Sequence, residues 1–391
     1  MKINSLAKIK NLADKKVFLR VDFNVPLTGG RISEDYKIKC VLPTIEYLIS
    51  QGARVIIASH LGEPDGRKEK DLTLKPVATR LKFLLKKPVN FVTESTGREV
   101  KEIVGKMKAG EIVFLENLRF NQGEYDNNLN LAKEYAALAD IYVNDALAVS
   151  HREQASVSAI KKYLPAYAGL LLEKEIIAFN NILKPLKPLV VIMGGAKIKT
   201  KAPLISKLYP LADQILIGGA LANNFWKYQG LEIGKSLVDE DCQADIKKFF
   251  KAGKLDKKII LPLDVVVKTR QGEAKVAAPG NIKASDCILD IGAVTIEAYS
   301  RYIKAAKTLV WNGPLGKFEE SSFKHGTLNI ACLVAARSSG KAYGLIGGGE
   351  TVEALKLTNM SEYVDWISTA GGAMLTYLGG GKMPGLKKII I

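Results

Sequence analysis

The sequence predicts an α/β protein of two Rossmann-like lobes, each a parallel sheet flanked by helices, joined by a hinge helix. Three observations lead there. The chain has 391 residues, too many for one ordinary hydrophobic core and suited to two. Short apolar, β-branched runs alternate with helix-like spacers from end to end, the pattern of parallel sheets with helical crossovers. The residues that close those runs also differ between the halves, with charged side chains in the first and glycine clusters in the second.

The first half reads as strands in "KKVFLRVDFN", "ARVIIASHLG", "EIVFLENLRF" and "DIYVNDA", with helical patterns such as "CVLPTIEYLISQG" and "LAKEYAALA" between them. The second half reads as strands in "PLVVIMGGAK", "DQILIGGA", "KKIILPLDVVV", "KTLVWNGP", "KAYGLIGGGE" and "DWISTAGG". The helical "LLLEKEIIAFNNIL" is followed by "KPLKP", whose prolines mark a boundary. The expected division is therefore a first lobe at 1–170, a hinge helix at 171–187 and a second lobe from 188 to 375.

In such folds ligands sit beyond the carboxyl ends of the strands, so the last residues of each strand are the candidates. The first-half strands close with Arg20, Asp22, Asn24, His60, Arg119 and Asn144-Asp145. Guanidinium forks of that kind suit a small phosphorylated acid. The second-half strands close with Gly194-Gly195, Gly218-Gly219, Gly347 to Gly349 and Gly371-Gly372. Glycine turns with free backbone N–H groups suit the phosphates of a nucleotide. In "PLVVIMGGAKIKTK" the strand and its two glycines are followed by Lys197, Lys199 and Lys201, which put positive charge where the strand ends.

Composition narrows the class. With 47% hydrophobic and 25% charged residues the chain is globular rather than disordered. No apolar run approaches the ~18 residues of a membrane helix. "MKINSLAKIKNLADKK" has no apolar core or cleavage site of a signal peptide. The four cysteines form no C-x-x-C pair and read as reduced thiols, so the expectation is a cytoplasmic protein without a membrane partner. The formal charge of +17 fits either nucleic-acid binding or a basic surface around a site for small anions. The absence of a long basic run, zinc spacing or aromatic RNA-binding signature favours the second reading.

Other nucleotide motifs do not fit. "GLEIGKS" at 230–236 has three residues between its glycines where a P-loop has four, and it follows no strand. No H-R-D catalytic loop is present, nor a G-x-G-x-x-G followed by a ribose-binding acid. Histidine occurs only at 60, 151 and 325. A kinase acting on an alcohol needs a base, whereas one acting on a carboxylate does not, because that nucleophile is already ionised. Such an enzyme needs positioning and charge neutralisation.

The segments "RVDFNVPL", "SHLGEP", "FLENLRFNQGE", "VNDALAVSHR", "GGAKIKTK", "LVWNGPLGKFE", "IGGGET" and "ISTAGGA" occur in the order found in phosphoglycerate kinase, and the chain resembles that family over essentially its whole length. The resemblance implies reversible phosphoryl transfer between 1,3-bisphosphoglycerate and ADP, giving 3-phosphoglycerate and ATP, a step of glycolysis and gluconeogenesis. It implies that the first lobe holds the glycerate, the second holds ADP or ATP with Mg²⁺, and hinge closure joins them. It also implies a monomer whose C-terminal tail, 376–391, packs back on the first lobe. Two other readings stand beside it. One is a catalytically weakened relative that binds anions or nucleic acid, and the other is a phosphotransferase for a different acyl phosphate.

Carried over by resemblance, Asp22 and Asn24 grip the hydroxyl and carboxyl end of the glycerate. Arg20, His60, Arg119 and Arg152 form a basic patch around its phosphate and carboxylate, with Arg20 open to a structural role instead. His151 supports the loop. Lys197 and Lys201 contact the nucleotide phosphates and the group in flight, while Lys199 is a solvated side chain. Asn312 contacts phosphate or ribose and Glu319 the ribose hydroxyls. Gly348, Gly349, Glu350 and Thr351 form the phosphate and magnesium loop, with Glu350 reaching Mg²⁺ through the nucleotide. Gly371 and Gly372 open a helix facing the reacting phosphoryl. Gly218, Gly219 and Gly292 flank adenine and ribose, or serve only as tight turns. Lys37, Lys197, Lys201, Gly349 and Gly372 make up the catalytic set.

Some positions depart from the family pattern. Lys37 stands where the family has arginine, keeping the charge but losing the planar fork. Thr200 and Ala293 replace common aspartate and proline, Glu350 replaces aspartate, and Gln154 replaces a histidine. Glu63 stands in "SHLGEP" where the family writes arginine. Two arrangements are open to it. It turns outward to pair with Arg67 or Lys68, which is the arrangement expected, or it faces the substrate.

Overall fold

Buried strands require apolar runs on both faces, and the central strands of this chain supply them. In the computed structural model, which describes residues 2–240 and 242–391, the strands are β1 (Lys16–Val21), β2 (Arg54–Ala58), β3 (Asn90–Val92), β4 (Ile112–Leu115), β5 (Ile141–Asp145) and β6 (Ala166–Ala168). They form one parallel sheet in the order β3-β4-β2-β1-β5-β6. The chain path reverses direction between β1 and β5, which makes a switch point at the carboxyl ends of those strands. Phe18 on β1 packs between Tyr135 and Tyr142, with ring centroids 5.5 and 6.3 Å away. These rings anchor β1, so its last residues are held by a rigid core.

A second parallel sheet contains β7 (Leu189–Met193), β8 (Gln214–Ile217) and β9 (Ile259–Ile260). After β10 (Val265–Lys268), β11 (Ala274–Ala277) and β12 (Cys287–Ile291), it is completed by β13 (Thr308–Asn312), β14 (Tyr343–Gly347) and β15 (Trp366–Ile367). Its order is β9-β8-β7-β13-β14-β15, the doubly wound arrangement with its switch point between β7 and β13. Trp311, Ile192 and Leu309 pack against helices Ala293–Ala305 and His325–Ser338. The expected strand "KKIILPLDVVV" is in fact two strands, β9 and β10. Pro262 lies between them and has no N–H for a ladder. β10 instead joins β11 and β12 in a small antiparallel sheet in the order β11-β10-β12.

The chain divides into two compact units, Met1–Ile177 with Lys382–Ile391, and Ala178–Gly381. The boundary falls inside the helix Leu170–Leu183. The C-terminal segment is bound to the first unit by backbone pairs, Asn4 N to Ile389 O and Ile391 N to Lys2 O, each 2.8 Å. The buried Lys161 ammonium adds bonds to Pro384 O at 2.5 Å and Lys387 O at 3.1 Å. That segment begins at 382. Residues 376–378 close the helix Gly372–Leu378, with Leu378 fully buried in the second unit.

Candidate active site

In the first unit, charged side chains collect at the carboxyl ends of β1 and β2 and in the turn after β4. Asp22 follows β1 and accepts from Lys37 Nζ at 2.7 Å, and Lys37 also donates to Asn24 O at 3.2 Å. Lys37 is the second residue of helix Tyr36–Ser50, where the helix dipole disfavours a cation, and Asp22 offsets that. Asn24 Oδ1 accepts from Gly62 N at 3.0 Å and holds the loop after β2. His60, in that loop, is buried. Burial, then the charges of Arg20, Arg119, Lys37 and Arg152, hold its pKa well below the ordinary histidine value, so the ring is neutral.

Arg119 lies in the 3₁₀ turn after β4 and is 1% exposed. Its Nη1 donates to Gly62 O at 2.8 Å and lies 2.8 Å from Glu63 Oε1. Its guanidinium carbon stands 5.7 Å from the centre of the Tyr125 ring. Burial lowers its pKa and Glu63 opposes that. The exposed Arg152 also reaches Glu63 Oε1, at 3.2 Å. Arg119 Nε and Nη2, Arg20 Nη2 and His60 Nδ1 are buried with no hydrogen-bond partner. Buried donors of this kind are rare unless something binds them.

In the second unit the chemistry is mostly backbone. Gly219, between β8 and the helix Ala220–Tyr228, has φ +60°, and a Cβ there would stand 2.8 Å from Pro314 O and 2.9 Å from Gly195 N. Only glycine lets these three turns meet. They border a cleft of ≈ 270 Å³ lined by Gly195, Gly219, Pro314, Gly316, Glu319 and Glu350. Lys201, on the helix Ile198–Leu208, points to the switch point and donates to Gly194 O, to Asn312 Oδ1 at 3.0 Å and to Asn312 O at 3.3 Å. Burial pushes its pKa down to about 8, with Glu350 opposing. Lys197 caps the start of that helix and is exposed, while Asp239 accepts from Ile198 N at 2.6 Å. Gly348 has φ +100° and precedes the helix Gly349–Lys356. Gly349 and Gly372 open onto space, with no atom within 4 Å of where a Cβ would stand.

The family model for phosphoglycerate kinase matches residues 6–381. The chain belongs to the phosphoglycerate kinase family. It is 43% identical to the phosphoglycerate kinase of Moorella thermoacetica over 383 residues, covering 96% of each chain. It is 41% identical to that of Thermomicrobium roseum over 378 residues, 95% of this chain and 96% of the other. Among solved structures, phosphoglycerate kinase from Coxiella burnetii superposes with a TM-score of 0.86 at 37% identity, covering 99% of each chain. The enzyme from Pyrococcus horikoshii gives 0.85 at 31% identity, covering 98% of each. Phosphoglycerate kinases are phosphotransferases with a carboxyl acceptor, and this membership makes the two-lobed parallel fold and the kinase activity properties of the chain.

Against this phosphoglycerate kinase frame, the sequence-based site residues sort into three groups. Asp22, Asn24, Lys37, His60, Arg119 and Arg152 come together in the first unit. Gly219, Glu319 and Glu350 border the second unit's cleft. Others carry framework contacts. Arg20 is fully buried and gives Nε to Ser156 Oγ at 2.8 Å and Nη1 to Val21 O at 2.6 Å; Ser156 in turn is held by buried Glu124. Thr351 Oγ1 accepts from Gly313 N at 2.7 Å, and Asn312 Nδ2 donates to Gly347 O at 2.8 Å. Gly218 lets Leu315 pack, with Cδ2 at 2.6 Å from its would-be Cβ, and Gly292 lets Asp264 pack likewise.

His60 lies in the patch, where burial and then the neighbouring arginine and lysine charges favour its neutral imidazole. One expectation needs correction. Glu63 does not turn outward to Arg67 or Lys68. Lys68 pairs with Glu94, and Glu63 takes Arg119, Arg152 and the Tyr125 hydroxyl, whose O–H stands 3.3 Å from its Oε2. Tyr125, Ser156 and Asp239 were not expected at either site. Tyr125 follows directly on "FLENLRFNQGE", which is the one sequence signal among them.

Proposed function

We propose that the first unit binds 3-phosphoglycerate through Arg119, Arg152, His60, Asn24 and Asp22, and that the second binds ADP or ATP through Lys201, Glu319 and the glycine turns. The reading is supported chiefly by Arg119, whose Nε and Nη2 are buried donors without a hydrogen-bond partner. Arg119 and Arg152 neutralise the substrate's phosphate or carboxylate. Asp22 and Asn24 orient its hydroxyl and carboxyl end, with Arg20 bracing β1 behind them. The substrate's own carboxylate is the nucleophile and needs no base, which agrees with a neutral His60. The carboxylate oxygen attacks the terminal phosphorus of ATP and the bond to ADP breaks; the reverse step makes ATP.

Lys37, Lys197 and Lys201 supply positive charge to the transferring phosphoryl, and the backbone N–H groups at Gly349 and Gly372 supply dipoles. Asn312 holds Lys201 in place and Thr351 holds the turn at Gly313. Gly218, Gly219, Gly292 and Gly348 shape the walls of the nucleotide cleft.

Among the described residues no cluster of three or more His, Cys, Asp or Glu could cage a metal ion. Mg²⁺ needs no such cage when a nucleotide brings it, because one or two carboxylates, phosphate oxygens and waters complete its shell. Glu350 lines the cleft and is exposed, so it fits as that carboxylate. Bound there, the ion would neutralise phosphate charge. Among the described residues no helix is long and apolar enough to cross a membrane. From the family membership we propose a cytoplasmic monomer.

A coupled assay with 3-phosphoglycerate and MgATP tests the reading. Turnover is expected, saturable in both substrates. Absence of turnover from pure, folded protein overturns it.

A further inference from the structure

We propose that Glu63 is a resident counter-anion of the phosphoglycerate site and sets its affinity. The proposal deepens the substrate-site reading above and rests on it. The motivating geometry is a carboxylate placed where a substrate anion is expected. Glu63 Oε1 lies 2.8 Å from Arg119 Nη1 and 3.2 Å from Arg152 Nη1, so one oxygen serves both guanidinium groups. Its other oxygen takes the Tyr125 hydroxyl at 3.3 Å. Nearer cations in sequence are passed over, since Lys68 is paired with Glu94.

The exposures fix the order of events. Arg119 is sealed, with its side chain 1% exposed, whereas that of Glu63 is 53% exposed. Glu63 therefore approaches the guanidinium from the solvent side. The other edge of Arg119, Nε and Nη2, is buried and unpartnered. An incoming phosphate or carboxylate must take the place of Glu63 on the arginines or stand beside it. Displacement costs two ion pairs, and cohabitation sets two anions against each other. Either way, affinity is lower than the arginines alone would give.

The loss falls on every anion that needs the two arginines. Where Glu63 must leave, the displacement cost is the same for each anion; where it stays, it repels a phosphate dianion more than a monoanion. Glu63 acts through charge on the binding groups and sets the affinity of the site, not a preference for dianions.

The test compares the parent with Glu63→Gln, Glu63→Arg and Arg152→Ala, reading the Michaelis constants for 3-phosphoglycerate and MgATP, kcat, inhibition by sodium sulfate and chloride, and thermal melting. Glu63→Gln keeps the shape and removes the charge at a half-exposed position. Its Michaelis constant for 3-phosphoglycerate is expected to fall about tenfold, as expected for losing a close charge conflict at a partly buried site. Sulfate and chloride should both inhibit it more strongly, and the constant for MgATP should stay within about twofold. Glu63→Arg should show a larger gain for 3-phosphoglycerate.

A Michaelis constant for 3-phosphoglycerate within twofold of the parent in Glu63→Gln, with only the melting temperature lowered, makes Glu63 a purely structural bridge and overturns the proposal. Arg152→Ala separates that failure from failure of the site itself. If it raises the constant while Glu63→Gln leaves it unchanged, the site stands and the counter-anion fails. If it too leaves the constant unchanged, the site reading falls and the proposal falls with it.

Discussion

The groups proposed to bind an anion in Met1–Ile177 are side chains, and most carry their own counter-group: Lys37 has Asp22, and Arg119 and Arg152 have Glu63. In Ala178–Gly381 they are mostly backbone N–H groups at glycine turns and helix starts, and Lys197 and Lys201 carry the full charges. The first arrangement can be tuned one charge at a time. The second can be altered mainly by shape, because a backbone dipole cannot be mutated away. Departures from the family pattern fall in both units, at Lys37, Glu63 and Gln154 in the first and at Thr200, Ala293 and Glu350 in the second.

The sharpest way to break this comparison is to remove a full charge from the second unit. Lys197→Ala should lower kcat by about 10²–10³ while changing MgATP binding much less, because its charge is best used on the transition state. Equal kcat in parent and variant would leave the backbone dipoles and Lys201 as sufficient there. Next in size is Arg119→Lys, which keeps the charge and removes the fork. Its Michaelis constant for 3-phosphoglycerate should rise by roughly 10–100-fold with MgATP unaffected. A rise under twofold would mean that point charge alone holds the substrate.

Shape is the lever in the other unit. Gly348, at φ +100°, would place a Cβ 2.9 Å from Asn312 Nδ2 and 3.3 Å from Thr351 Oγ1. Gly348→Ala should cost about 1–3 kcal/mol of stability and weaken nucleotide binding. Gly349→Ala, one residue on, enters open space at the first position of a helix and should gain ~0.4–1 kcal/mol. Denaturant titrations of both variants check the pair. Equal stability in the two would remove the strain argument.

The same contrast explains what the sequence made legible. A charged residue closing an apolar run is an anomaly visible in one dimension, so Arg20, Asp22, His60 and Arg119 stand out. Whether such a residue faces ligand or framework is not visible: Arg20 is bonded to Ser156 and Val21 O while its Nη2 stays without a partner. Glu63 misleads for a similar reason. Arg67 and Lys68 are its neighbours along the chain, but β2, β4 and the turn after β5 bring Arg119 and Arg152 to it in space. Glycine clusters mark the second site at once. Their separate duties are set by contacts such as Leu315 on Gly218, which no local pattern encodes. The split of "KKIILPLDVVV" was legible in Pro262, since a proline seldom sits inside a central strand.

The mildest test uses pH, and the two units should respond differently to it. Burial holds Lys201 down at about 8, so near pH 7 it is charged and by pH 9 most of it is neutral. A bound polyphosphate favours the ammonium and raises that pKa, so binding takes up a proton between the two values. The affinity for MgADP should therefore weaken as pH rises through 8. The loss is about twofold at pH 8 and about tenfold at pH 9, the reduction set by the fraction of sites still charged. Calorimetry at pH 8.5 in buffers of different ionisation heat should show net proton uptake. Among the groups assigned to the glycerate site nothing comparable titrates in that range, since arginine stays charged and His60 is already neutral; Asp145 and Lys161, each held at about 7, are not among them. Binding of 3-phosphoglycerate should stay flat from pH 7.5 to about 9. A flat MgADP profile beside a sloping 3-phosphoglycerate profile would reverse the assignment, placing the titrating lysine in the glycerate site's chemistry and leaving the nucleotide to backbone dipoles alone.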